Sequence, residues 1–291
     1  MQDLHIILQS SPLLLSCLVF IISLLIGSFL NVVIYRLPVM MEHDWKKECT
    51  EYLELETKAE NSEVFNLMLP SSKCPDCHAS IKPYQNIPVI SYLFLGGKCA
   101  ECKTHISLRY PIIEAFTAIS STIVAYQFGY TAEMFFALIL TWSLIALTFI
   151  DIDHQLLPDS INLPLLWLGL FLSIFLIYTD PVSSIIGAIA GYLSLWAVYY
   201  LFKIVTGKEG MGFGDFKLLA MLGAWLGWQY LPIIIILSSL VGAVIGISMI
   251  ILAKSDRNTP IPFGPYLAAA GWLALVWGEQ INSVYLNAIG L

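Results

Sequence analysis

The sequence predicts an all-α polytopic membrane protein with about eight transmembrane helices. Of its 291 residues, 58% are hydrophobic and only 12% are charged. A soluble domain has about 25% charged residues, roughly twice this share, so the composition excludes an ordinary soluble protein. Long stretches without Lys, Arg, Asp or Glu then locate the individual helices.

There are seven such stretches, and one of them counts as two helices. Residues 218–253 are too many for a single crossing, which needs about 20 residues. Pro232 lies near the middle of this stretch and predicts a turn there, which brings the total to eight helices. The seven stretches are 6–35, 115–132, 134–150, 160–179, 181–202, 218–253 and 258–278.

The basic residues predict how the chain is oriented in the membrane. With eight crossings, one face receives the segments 36–114, 151–159, 203–217 and 254–257, which contain all 14 Lys and Arg residues of the chain. Because cytoplasmic loops are enriched in basic residues, this face is predicted to be cytoplasmic and both termini to lie on the opposite side. A miscounted helix would move basic residues to the wrong face, so the charges support the count.

This topology predicts three parts. Residues 1–36 form transmembrane helix 1, residues 37–110 form a small cytoplasmic domain, and residues 111–291 form a seven-helix transmembrane domain. Within the cytoplasmic part, residues 42–63 carry eight acids against three Lys and are predicted to be an amphipathic helix or a mobile insert. The acids form either a solvated face or a surface that attracts a basic peptide segment.

Two C-x-x-C motifs in the cytoplasmic part predict a structural metal site. They are separated by 21 residues, a spacing typical of zinc ribbons. Disulfides are the alternative, but they are rare in the reducing cytoplasm. Four thiolates leave no open coordination position, so the metal is predicted to stabilise the fold and not to catalyse. The predicted zinc ligands are Cys74, Cys77, Cys99 and Cys102.

Two acidic clusters lie at the ends of apolar stretches on the predicted cytoplasmic face. One contains Asp151 and Asp153, and the other contains Asp215 within Gly212-Phe213-Gly214-Asp215. A carboxylate beside hydrocarbon is costly and is by default a candidate functional residue. The glycines permit tight or left-handed backbone, so helix 6 is predicted to begin late, near Asp215. Either Asp159 or Ser160 is predicted to be the N-cap of helix 4, which gives Asp159 a structural explanation.

The two clusters together predict one active site. Two carboxylates that lie close together share a proton, so one of them can activate water while the other donates a proton to a carbonyl oxygen. This is the chemistry of aspartic proteases. Helix dipoles favour charge on Asp215, at a helix start, and disfavour it on Asp151, at a helix end, by about 0.3–1 kcal/mol each. Asp151 is therefore predicted to hold the shared proton more often in the free enzyme.

These residues resemble the bifunctional type IV prepilin peptidases/N-methyltransferases, which are membrane aspartic proteases of the GxGD type. The resemblance implies cleavage of the basic leader from prepilins and pseudopilins at the cytoplasmic face of the bacterial inner membrane, with periplasmic termini. It also implies that the cut falls after a Gly, just before the apolar helix of the substrate. Asp151 and Asp215 carry over as the catalytic residues. The resemblance also implies methylation of the new N-terminal amine by S-adenosylmethionine, with Gly97 as a candidate cofactor residue. The matching motifs are Cys74-Pro75-x-Cys77, Cys99-x-x-Cys102, Asp151-x-Asp153-x-x-x-x-Leu157-Pro158-Asp159, Gly212-x-Gly214-Asp215-x-Lys217 and Pro262-Phe263-Gly264-Pro265.

Two other functions compete with this interpretation. An ion- or metal-coupled transporter would also use intramembrane carboxylates, but it predicts charges in mid-span and often inverted repeats of broken helices. A membrane-anchored zinc module that scaffolds partners would leave Asp151 and Asp215 unexplained. Prepilins, pseudopilins and membrane lipid are the expected partners, and no nucleic acid is expected.

Overall fold

The computed structural model describes residues 7–54, 65–252 and 261–289. Within these ranges every regular element is a helix, apart from two isolated β-bridges, and the predicted all-α class is confirmed. The eight long helices are α1 (Pro12–Tyr52), α2 (Arg109–Phe128), α3 (Ala132–His154), α4 (Asp159–Ile174), α5 (Pro181–Thr206), α6 (Phe213–Leu226), α7 (Leu231–Leu252) and α8 (Gly264–Ile289).

The chain divides into two compact units, Met1–Tyr130 and Thr131–Leu291. The first contains α1 and α2, and the second contains α3 to α8. The predicted domain bounds at residues 36 and 110 rest on the expected membrane topology, whereas these two units are defined by compactness. The predicted bounds therefore stay a prediction.

Several helices are suited to a membrane. Helices α1, α3 and α5 and the segment Trp228–Met249 are long and apolar enough to cross one, and α4 is apolar but shorter. Helix α6 has 14 residues, or about 21 Å at 1.5 Å per residue, whereas the hydrocarbon layer is about 30 Å thick. It begins after Gly212, close to the predicted late start. The predicted break in the apolar stretch 218–253 is also confirmed, because α6 ends before Gly227 and Pro232 is the second residue of α7.

Helix α1 is longer than the apolar stretch that predicts it. It begins after Ser11, whose hydroxyl caps the first turn, and it continues through Pro38 to Tyr52. Of the two alternatives predicted for the acidic insert 42–63, the helix is therefore confirmed as far as Tyr52. Residues 55–64 lie outside the described residues.

Helices α1 and α2 approach each other closely. A Cβ atom on Gly27 would lie 2.7 Å from the Cα atom of Glu114, so a small residue is needed at this crossing. Asn31 donates its side-chain amide to the carbonyl oxygen of Tyr110 over 3.3 Å. The sequence therefore places its small and polar residues of helix 1 where the partner helix packs.

Helix α6 forms the centre of the second unit. From Asp215 to Leu226 every residue except Lys217 is buried, and the helix packs against α4, α5 and α8. Its contact with α5 is close, because a Cβ atom on Gly187 would overlap the carbonyl oxygen of Gly223. This packing holds the first turn of α6, and Asp215 with it, inside the unit.

Candidate functional site

Asp151 lies in the last turn of α3 and is buried, with 5% of its surface exposed. The helix ends at His154, three residues later. The next residue, Gln155, adopts left-handed backbone and donates its N–H to the carbonyl oxygen of Asp151 at 2.9 Å. The side-chain Oδ2 atom of Asp151 accepts the backbone N–H of Gly264 at 3.0 Å. A Cβ atom at position 264 would lie 2.7 Å from that oxygen, so the close approach requires glycine.

Asp215 lies in the first turn of α6 and is also buried, with 7% of its surface exposed. Gly212 precedes the helix in an extended conformation, and its carbonyl oxygen accepts the N–H of Asp215 at 3.3 Å. The Oδ1 atom of Asp215 is buried and has no hydrogen-bond partner among the described residues. Burying such an oxygen costs free energy, so this atom is ready to bind a substrate group or a water molecule.

The structure brings these two aspartates together. They are close enough for the charge on Asp151 to act on Asp215. The segments that carry them meet around the buried side chain of Leu157. A Cβ atom on Gly214 would lie 2.8 Å from the Cβ atom of Leu157, and one on Gly264 would lie 3.1 Å from its Cδ2 atom. One leucine therefore sets the spacing between the two acidic segments and the start of α8.

An ion pair joins α4 to α6 close to the aspartates. The Nζ atom of Lys217 lies 2.8 and 2.6 Å from the two carboxylate oxygens of Asp159. Asp159 is the first residue of α4, and the N-cap position is taken by Pro158 without a side-chain hydrogen bond. The prediction that Asp159 or Ser160 is the N-cap of this helix is therefore wrong. The carboxylate of Asp159 binds a neighbouring helix instead.

Two polar residues next to Asp151 in the chain are exposed and not buried with it. Asp153 and His154 lie on the exposed side of the last turn of α3. The contacts of Gly264 and Leu157 were not deduced from the sequence, where both residues appeared only as parts of matching motifs. A glycine that follows Pro262 and precedes Pro265 at a helix start is a signal of unusual backbone, but its partner 113 residues away is a matter of tertiary structure.

The four predicted metal ligands form one cluster. The sulfur atoms of Cys74, Cys77, Cys99 and Cys102 lie within 4.8 Å of one another, with distances of 3.7 Å between Cys74 and Cys102 and 4.0 Å between Cys77 and Cys99. Around a tetrahedral ion with bonds of about 2.3 Å, sulfur atoms lie about 3.8 Å apart. The cluster therefore fits zinc or a similar tetrahedral metal.

The two C-x-x-C motifs form the same turn twice. In each, the residue after the second cysteine has left-handed backbone, with φ of 56° at His78 and 62° at Lys103. Each of these residues donates its N–H to the carbonyl oxygen of the first cysteine of its motif, Cys74 at 3.0 Å and Cys99 at 3.2 Å. The backbone itself thus aims both pairs of sulfurs at one point.

Gly97 has a structural reason of its own. Its φ is +67°, and a Cβ atom there would lie 2.7 Å from the hydroxyl oxygen of Tyr92. The backbone N–H of Gly97 donates to the carbonyl oxygen of Tyr92 at 2.9 Å. The residue therefore forms the turn that leads into the second cysteine motif, and its assignment to the methyl donor stays a prediction.

Comparison with known proteins identifies relatives along nearly the whole chain. The bacterial peptidase A24 N-terminal domain matches residues 21–128, and the type IV leader peptidase family matches residues 138–247. The chain is 55% identical over 283 residues to the prepilin leader peptidase/N-methyltransferase of Pseudomonas aeruginosa, with 97% of each chain covered. Relatives of the same name from Stutzerimonas stutzeri and Aeromonas salmonicida are 54% and 53% identical, with 96% of each chain covered.

The chain belongs to the type IV leader peptidase family. The resemblance drawn from the motifs is confirmed. In this leader peptidase the family match at 138–247 includes both Asp151 and Asp215, and the N-terminal match at 21–128 includes the four cysteines. Gly264 lies beyond both matched ranges. No solved structure matches the chain.

Proposed function

We propose that this chain is a membrane aspartic endopeptidase that removes the leader from prepilins and pseudopilins and then N-methylates the new N-terminal residue. The observation that carries the proposal is the meeting of two buried carboxylates, Asp151 and Asp215, at the ends of α3 and α6. The names of the relatives support the same two activities. No finding favours a transporter, and both carboxylates lie in terminal helical turns and not in mid-span.

A pair of carboxylates hydrolyses a peptide bond by dividing two proton transfers between them. The ionised carboxylate takes a proton from a water molecule, whose oxygen attacks the carbonyl carbon of the scissile bond. The protonated partner donates its proton to the carbonyl oxygen. The tetrahedral intermediate then collapses as the first carboxylate gives the proton it took from water to the leaving amine and the partner takes its own proton back. No group other than the two aspartates and water is required.

We assign the base to Asp151 and the proton donor to Asp215. The N–H of Gly264 stabilises a negative charge on Asp151, and a hydrogen bond to a charged group contributes about 1.5–3 kcal/mol. The backbone of Gly212 is a donor to the Asp215 carboxylate as well, but the Oδ1 atom of Asp215 is buried without a donor among the described residues, which suits the neutral acid. Helix dipoles favour the reverse by about 0.3–1 kcal/mol each. The hydrogen bond is the larger effect, so this assignment reverses the one predicted from the dipoles.

We assign a structural zinc ion to Cys74, Cys77, Cys99 and Cys102, whose sulfur spacing fits it. The ion would join the two cysteine turns, which have little apolar core between them, and its closed coordination would leave no position for a reactant. S-adenosylmethionine is the methyl donor implied by the methyltransferase name of the relatives. No step of methyl transfer is assigned to individual residues.

The proposed setting is the bacterial inner membrane, with the cysteine cluster and the aspartates at the cytoplasmic face and both termini in the periplasm. The distribution of all 14 Lys and Arg residues supports this orientation. This orientation would bring the aspartates to the prepilin while the apolar segment of the prepilin is still in the membrane.

The deciding experiment is leader removal from a purified prepilin by wild type, Asp151→Asn and Asp215→Asn. Both variants keep the size of the side chain and remove the carboxylate, so both are expected to be inactive while their size-exclusion profile and thermal unfolding stay unchanged. Asp153→Asn is the matched control, because Asp153 is an exposed carboxylate in the same helical turn as Asp151, and it is expected to cleave normally. Normal cleavage by either of the first two variants would refute the catalytic assignment.

A further inference from the structure

A groove with a volume of about 330 Å³ lies between α5 and α7 in the second unit. Leu195 and Val198 of α5 form one wall, and small residues of α7, among them Ser239 and Ala243, form the other. Ser239 is exposed although it lies in a membrane helix. The groove exists because the side chains of α7 that line it are small.

One end of this groove is built by the two segments that carry the aspartate site. Met211 lines the groove and directly precedes Gly212, the N-cap residue of the helix that begins with Asp215 in its first turn. Phe263 also lines it and directly precedes Gly264, which binds Asp151. A chain whose peptide bond lies between the carboxylates therefore has this space immediately beside it.

The groove is apolar and follows the helices. No residue that lines it carries a charge. Ile235 and Ala243 both line it, and the eight helical steps from one to the other extend over about 12 Å. Such a groove is as long as two helical turns. It is large enough for the side chains along one face of an apolar segment but too small for a whole helix.

The neighbouring segment of this chain is a poor occupant. Residues 253–260, which precede the groove residue Ile261, read Ala-Lys-Ser-Asp-Arg-Asn-Thr-Pro. Three of these eight residues are charged, and burying a charge without a partner in an apolar groove is costly. The apolar segment of a substrate carries no charge that the groove would bury. Because it is joined to the scissile bond, it also avoids the entropic cost of bringing in a separate molecule.

We propose that the groove between α5 and α7 binds the apolar segment of the prepilin that adjoins the scissile bond, and that it selects substrates by this contact. The inference rests on the proposed peptidase function. It adds the residues that recognise the substrate, with Ser239 and Ala243 on one side and Leu195 and Val198 on the other.

The test fills the groove from α7. Ser239→Phe places a ring in the space, and Leu240→Phe is the matched control, because Leu240 is the next residue of α7, is 60% exposed and does not line the groove. Lipid covers an apolar side chain as well as the groove does, so the loss comes from overpacking the groove with the added ring. Ser239→Phe is expected to lower kcat/KM for prepilin roughly tenfold, mainly through KM. Leu240→Phe is expected to stay within about twofold of wild type.

A compensating change in the substrate separates a filled groove from a misfolded protein. Each large apolar residue near the cleavage site of the prepilin is replaced by Ala in turn. At least one replacement is expected to restore cleavage by Ser239→Phe to within about threefold of wild type, because it frees the volume that the new ring occupies. Equal activity of Ser239→Phe and Leu240→Phe, or a loss that no replacement restores, would overturn the proposal.

Photocrosslinking distinguishes this failure from a failure of the peptidase function. A photoreactive residue at position 239 in the Asp215→Asn background is expected to crosslink the apolar segment of uncleaved prepilin, and one at position 240 is not. If wild type cleaves prepilin but position 239 crosslinks only lipid, the groove proposal fails alone. If wild type does not cleave, the peptidase function fails, whatever position 239 crosslinks.

Discussion

Gly264 donates its backbone N–H to the Oδ2 atom of Asp151 over 3.0 Å, across 113 residues of sequence. The bond is made by the first residue of α8 to the last turn of α3. It fixes one carboxylate of the pair and supplies a donor that stabilises its charge. The start of α8 thereby belongs to the aspartate site, although Gly264 has no side chain.

Gly264→Ala is expected to lower the rate of leader removal roughly 100-fold or more. The new Cβ atom would lie 2.7 Å from Oδ2 and 3.2 Å from Cγ of Asp151, so the carboxylate has to move, and a displacement of about 1 Å in a catalytic group can cost roughly 100-fold. Gly246→Ala on α7 is the control, because its Cβ atom would meet only the end of the Ile261 side chain at 3.2 Å. Similar rates for the two variants would contradict a positioning role for Gly264.

Breaking the ion pair between Lys217 and Asp159 is expected to have a small effect. The two side chains are 31% and 51% exposed, and pairs of this kind contribute about 0.2–1 kcal/mol, or a factor of up to about five in rate. Lys217→Met and Asp159→Asn should therefore each lower cleavage less than fivefold. In a double-mutant cycle of kcat/KM, the double variant should lose no more than either single variant. Additive losses would show that the two residues act separately.

Gly223→Ala is expected to destabilise the second unit. A Cβ atom there would overlap the carbonyl oxygen of Gly187, and because both contacting groups are backbone, α5 and α6 have to separate. Overpacking of this kind costs about 1–3 kcal/mol, which thermal unfolding in detergent would register as a lower Tm. Gly246→Ala serves again as the control for an added methyl group in a helix. An unchanged Tm in both variants would contradict the close contact of α5 with α6.

Glu114 is expected to stabilise an unusual backbone conformation in the first unit. Val89 has φ of 60°, which is rare for a β-branched residue, and its N–H donates to the buried carboxylate of Glu114 at 2.8 Å. Glu114→Ala removes the acceptor and should lower the free energy of unfolding by about 1–3 kcal/mol. Glu114→Gln keeps an acceptor oxygen and should cost less. Equal losses in chemical unfolding would argue against the hydrogen bond.

Zinc content tests the cysteine cluster directly. Wild type is expected to hold about one zinc ion per chain by elemental analysis, and Cys74→Ser to lose it, because a thiolate of the tetrahedral set is replaced by a weaker ligand. Cys17 and Cys49 lie outside the cluster and are exposed, so Cys17→Ser and Cys49→Ser should keep the ion. Loss of the ion should expose residues 65–108 to limited proteolysis. Full zinc content in Cys74→Ser would refute the assigned ligand set.

Most of the helix pattern could be predicted from the sequence, because a long apolar stretch between charges has few structures open to it in a membrane. The stretch around Pro232 and the late start near Asp215 were read correctly for this reason. The end of α1 was left open, since charged residues 42–52 are compatible with a helix or an irregular segment, and only contacts decide between them. The N-cap prediction for Asp159 failed because a carboxylate at a helix start can either cap the helix or form an ion pair with a neighbouring helix. The carboxylate of Asp159 forms the ion pair, with Lys217 at 2.6 Å.

The sequence by itself determined the helical class, the grouping of four cysteines and the meeting of Asp151 with Asp215, because composition, motif spacing and the cost of a charge beside hydrocarbon are local properties of the chain. Tertiary structure decided what surrounds them. Gly264 reaches Asp151, Leu157 separates the acidic segments, and a groove between α5 and α7 leads away from the pair. These relationships join residues far apart in the chain, and no periodicity or spacing records which backbone will approach which side chain.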